Sequence, residues 1–65
     1  MPYINLKLTA GVQRHEKEQI VQEFTAVLQR ILDKNPHETH IIIEEIEQEN
    51  WGLAGMLVDD YRRQR

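Results

Sequence analysis

Pro2 directly follows Met1. Methionine aminopeptidases generally remove Met before Pro, and removal would leave a secondary amine at the start of the chain. A free α-amino group titrates at roughly 7.7–8.0 in peptides, and apolar enclosure or nearby cations lower that value. Such an amine is largely neutral at physiological pH and can accept a proton, as a general base must. The plainer alternative is a tolerated second residue, because the first position of a strand needs no N–H. A second feature is the segment Glu49-Asn50-Trp51-Gly52-Leu53-Ala54-Gly55. Trp51 is the only tryptophan, and it reads equally as a wall that keeps a pocket dry or as a core or interface aromatic. The third is His37 and His40, three apart, with Glu38 between them and Glu44 beyond. Drawn together they resemble a metal site, but a turn-to-strand position spoils the helical i, i+3 logic. Solvated histidines are the better reading, for His15 as well, and no metal is expected.

These groups need elements to position them. Tyr3 to Thr9 alternates, with Ile4, Leu6 and Leu8 apolar and Asn5, Lys7 and Thr9 polar, which is the period of a strand with one buried face. Ala10-Gly11 breaks it. From about Gln13 to Lys34 the apolar residues Ile20, Val21, Phe24, Val27, Leu28, Ile31 and Leu32 recur at steps of one, three and four, predicting one long amphipathic helix. No Ser, Thr, Asp or Asn precedes Gln13, so the N-cap reads as weak. The stop is marked by Lys34, by Asn35 as the left-handed residue, and by Pro36. His40 to Ile46 is β-branched and reads as a second strand. Strand, helix and strand form a βαβ unit with two parallel strands. Asn50 to Val58 suggests a short hairpin, and Asp59 to Arg65 a final helical turn or a frayed end. The fold class is α+β, in one domain over residues 1–65.

With 65 residues, such a domain buries only roughly 60% of its unfolded surface, so it needs a staple or a partner. The absence of cysteine excludes disulfides. One helix covers one face of two strands, leaving Ile42 on the other face, where a second copy of the chain is the natural cover. A net charge of −3 gives no attraction to nucleic acid, and no apolar run approaches a membrane span or a signal peptide. A soluble cytoplasmic oligomer is expected, with no nucleic-acid or membrane partner.

In this order and spacing, Met-Pro, the strand P-Y-I-N-L-K-L-T, one long helix, the strand H-I-I-I-E-E-I and then E-N-W-G-L-A-G resemble the 4-oxalocrotonate tautomerase family over essentially the whole chain. The resemblance implies a βαβ unit with a C-terminal hairpin, assembled into dimers and usually hexamers. It implies cofactor-free proton transfer on a small 2-oxo or enol acid, with the Pro2 amine as base and then acid. Trp51 matches the pocket's usual aromatic residue. His40 falls where characterised members carry an arginine, supplied by a neighbouring subunit, that polarises the substrate.

Two positions depart from that pattern. Imidazole is a poorer permanent cation than guanidinium at position 40, and Val12 stands where the founding members carry a second arginine. Lys7, Arg14, Arg62 and Arg63 are the cations that could compensate. Loss of both arginines disfavours a dicarboxylate substrate and favours a smaller or monocarboxylate acid. The alternative reading is a non-catalytic oligomeric binding or scaffold protein that keeps the fold.

Overall fold

The computed structural model describes residues 1–64; Arg65, the end of the expected tail, lies outside the described residues. Strand β1 (Tyr3–Thr9) leads through a short loop into helix α1 (Arg14–Leu32). A 3₁₀ turn (Pro36–Glu38) precedes strand β2 (His40–Ile46). A second 3₁₀ turn (Gln48–Asn50), a hairpin of β3 (Gly52–Leu53) and β4 (Met56–Leu57), and helix α2 (Val58–Arg63) complete the order. β1 and β2 pair in parallel, with Tyr3 opposite His40 and Thr9 opposite Ile46. β3 and β4 pair antiparallel.

The two faces of the parallel sheet differ as the alternation requires. Ile4, Leu6, Ile41 and Ile43 are half-buried, and Ile4 meets Phe24, Val27 and Leu28 of α1 around a small apolar surface hollow. On the other face Ile42 is 45% exposed, and Tyr3, Asn5 and Lys7 are exposed with it.

Both ends of α1 carry devices that differ from the sequence expectation of a weak N-cap and a left-handed Asn35. Gln13 is the N-cap, and its N–H donates to the Glu16 carboxylate at 2.8 Å. The start is therefore held from within the helix by the returning arm of a capping box. At the other end Asp33, not Asn35, is left-handed, with φ 55° and ψ 38°. Asn35 precedes Pro36, whose ring excludes helical backbone at the residue before it. Asn35 is accordingly extended, at φ −70° and ψ 122°, and its side chain accepts the His37 N–H at 2.9 Å, opening the 3₁₀ turn.

The chain alone closes very little core. Val58, 4% exposed, is the one buried hydrophobic side chain among the described residues, and Ile31 on α1 is 65% exposed. The radius of gyration is 15.2 Å and the extents are 44 × 23 × 17 Å. A compact 65-residue globule would have a radius of about 11 Å. The accessible surface of 5225 Å² exceeds by roughly 800 Å² that of a folded monomer of 7.8 kDa. No helix is long and apolar enough to cross a membrane.

Candidate active site

Pro2 stands at the mouth of β1, half-buried, and its carbonyl accepts the His40 N–H at 3.0 Å. The ladder thus fixes Pro2 beside the first residue of β2 through backbone alone. Met1 is 86% exposed, so the bond before Pro2 is open to an aminopeptidase. His40 is exposed and lies opposite Tyr3. Pro2 and His40 therefore occupy the same end of the sheet.

Trp51 belongs to the other end. A cleft of about 450 Å³ separates Lys7, Leu8 and Thr9 of β1 from Trp51, Tyr61 and Arg62. Its far wall is built by the C-terminal segment folding back on itself. The Trp51 N–H donates to the Gln48 carbonyl at 3.3 Å, and the Val58 N–H donates to the Trp51 carbonyl at 2.8 Å. Between those bonds the hairpin turns at Ala54 and Gly55, with φ of 56° and 79°. Positive φ at both central residues is the type I′ arrangement that matches strand twist. At about 3.3 Å per residue, β1 holds Pro2 some 20 Å from Leu8. One chain brings Pro2 and His40 together and keeps Trp51 apart from both.

Glu45 holds the loop after β1, a positioning role that the sequence reading does not assign. It faces α1 from β2, and one carboxylate oxygen accepts the N–H groups of Gly11 and Val12 at 3.0 Å each. The other oxygen pairs with Lys17. The Lys17 hydrogen bond, then those from Val12 and Gly11, hold the carboxyl below the usual range. This clasp fixes the β1–α1 loop, where Gly11 adopts φ 118°, and so sets the position of Val12. A signal was present: an acidic residue at an inward strand position after Ile41 and Ile43 requires a partner.

On the open face Glu44 accepts from Asn5 at 2.6 Å and from Lys7 at 3.1 Å. The Asn5 amide bond, then Lys7, lower its pKa. His37 lies in the 3₁₀ turn, and His15 is exposed on α1. Among the described residues, no three His, Cys, Asp or Glu side chains are grouped to hold a metal ion.

The family model for tautomerase enzymes matches residues 2–61. A probable tautomerase of Dickeya dadantii is 40% identical over 65 residues, covering 98% of this chain and 97% of its own length. The crystal structure of DmpI from Helicobacter pylori superposes with a TM-score of 0.89 at 28% identity, covering 98% of this chain and all of that one. A 4-oxalocrotonate tautomerase isozyme from Methylibium petroleiphilum gives 0.92 at 26% identity, over 98% of this chain and 100% of its own. With the parallel βαβ unit, the hairpin and Pro2 all within the matched span, this chain is a member of the tautomerase family, of the 4-oxalocrotonate tautomerase kind.

Proposed function

We propose that the chain, once Met1 is removed, is a cofactor-free tautomerase of a small 2-oxo or enol monocarboxylic acid. The Pro2 nitrogen takes the enol hydroxyl proton, the C–O bond becomes a carbonyl, and the electron pair moves to carbon. The prolyl ammonium then returns the proton to that carbon, so the amine is regenerated. This balance needs no oxidant, metal or second reactant. The observation that carries the reading is the position of Pro2: a half-buried residue at a strand mouth, next to an exposed Met1, inside a family match that begins at Pro2 itself.

The site is proposed to form between copies of the chain in a cytoplasmic homo-oligomer, from dimer to hexamer. Two observations support this: the length of β1, about 20 Å, that separates Pro2 from Leu8 in the Trp51 cleft, and the surplus of exposed apolar surface around Ile42 and Ile31. Trp51 of one copy would then wall the amine of another, and His40 would face the substrate carbonyl.

The test compares Met-free protein, verified by mass spectrometry, with protein whose terminal amine is blocked by retained Met1 or by alkylation. Blocking is expected to lower the enol–keto rate by about 10²–10⁴-fold, the usual contribution of a positioned acid–base group. A blocked protein working at the unblocked rate would overturn the mechanism.

A further inference from the structure

The family's usual arginines are absent at Val12 and His40, yet a carboxylic acid substrate needs a cation to hold it. Four other cations are candidates from the sequence, and their surroundings separate them. Lys7 is paired with Glu44, Arg14 with Glu18 and Arg63 with Asp60. Arg62 has no carboxylate partner among the described residues. Its guanidinium makes one long contact, 3.5 Å, to the Thr9 hydroxyl across the cleft. Arg30 and Lys34 are also outside any ion pair among the described residues, but they lie in and just past the last turn of α1 and do not line the Trp51 cleft.

Arg62 therefore brings an uncommitted planar fork of donors into a cleft whose other walls include Trp51 and Tyr61. A guanidinium with free donors beside a hydroxyl is the arrangement that grips a carboxylate in two places. Flanking aromatic rings suit the unsaturated carbon skeleton of an enol acid, and the volume is that of a small-ligand site. We propose that Arg62, assisted by Thr9, holds the substrate's carboxylate in this cleft and is the specificity-determining cation of the site. The inference deepens the tautomerase reading and rests on it for the identity of the reaction.

The experiment uses full-length, Met-free protein and two readouts. Trp51 is the only tryptophan, so its fluorescence reports occupancy of the cleft directly. Wild type, Arg62→Gln and Arg62→Lys are titrated with benzoate and, as the neutral control, benzamide. Sedimentation confirms that each variant keeps the wild-type assembly. Benzoate is expected to quench saturably, benzamide only weakly, and Arg62→Gln to raise the benzoate Kd about tenfold or more. Arg62→Lys should recover part of the affinity, because it keeps the charge but not the fork. In parallel, KM for an aryl-substituted enolpyruvate should rise in Arg62→Gln, with kcat changed much less. Equal benzoate binding by wild type and Arg62→Gln, or no saturable quench at all, overturns the inference. Activity that survives with Kd and KM unmoved by Arg62→Gln sinks the carboxylate site and leaves the tautomerase reading standing. Benzoate binding that depends on Arg62 in a protein with no enol–keto activity does the reverse.

Discussion

The two ends of the parallel sheet are built differently. At the Pro2 end the chain uses backbone, with one ladder bond from His40 and two exposed side chains, Tyr3 and His40, around it. At the Thr9 end it adds side chains: the Glu45 clasp, the Lys7–Glu44 pair and the Arg62 contact to Thr9. A base needs only a fixed nitrogen, which a strand supplies without further help. Recognition of a carbon skeleton and a carboxylate needs several groups held in register, and these come from three separate segments. On the proposed reading, division of the two tasks between opposite ends of one 7-residue strand would make a second copy of the chain necessary for chemistry.

The strongest way to break that comparison is to separate the two ends genetically. Chains with a blocked Pro2 amine and chains carrying Trp51→Gln should each be nearly inactive. Co-refolded together, they should recover up to about a quarter of wild-type activity, because each site draws one residue from each of two copies. No recovery would place both residues within one chain's site and refute the division. Next in size is Ile42→Glu, which puts a charge on the uncovered face. Sedimentation should show dissociation at micromolar concentration, since an unpaired charge in a buried contact is strongly disfavoured. A stable, fully assembled variant would mean that this face is not the contact.

The clasp predicts a pH dependence. The Glu44 and Glu45 carboxyls lie below their ordinary 4.5 in the folded chain, so their contribution is complete above that pH and is lost as pH falls through the folded values. Melting temperature should stay level from neutrality to about pH 5 and then decline. Glu45→Gln should lower the plateau and flatten the decline; an unchanged acid limb would show that the clasp is not coupled to stability. The smallest effect concerns Ala54, whose φ of 56° costs an L-residue about 1 kcal/mol. Ala54→Asn should stabilise the hairpin by about 0.5–1 kcal/mol, read as a raised denaturation midpoint, with activity unchanged.

The fold was legible where one pattern dominated. The alternation of β1, the β-branched run of β2 and the apolar stripe of α1 each report a burial face, and burial decides local structure. The helix termini were less legible because they depend on pairs. Gln13 is an indifferent cap until Glu16 reaches back to it, and Asn35 is a natural left-handed residue until Pro36 forbids it. The sequence allows the tail either a helical turn or fraying; α2 forms over Val58–Arg63 because Val58 anchors it by burial and by the bond to Trp51. At the candidate site, Pro2 can be named from residue type and position, whereas His40 and Trp51 take their site roles from the family resemblance. That Pro2 and Trp51 lie at opposite ends of β1, and that Arg62 alone of four candidate cations has no carboxylate partner among the described residues, are consequences of tertiary placement. No window of sequence contains them.

One consequence of the elongated shape concerns supply inside a cell. A chain 44 Å long, with Val58 the one buried hydrophobic side chain among its described residues, would in the proposed assembly draw little stability from itself and most of it from its neighbours. Its folded population then follows mass action, and its melting temperature rises with concentration. Halving synthesis would remove more than half of the working sites, and unassembled copies would expose apolar surface to proteases. Catalytic capacity in such a system responds steeply to gene dosage and dilution, a sensitivity that a self-sufficient globule of the same mass would not have.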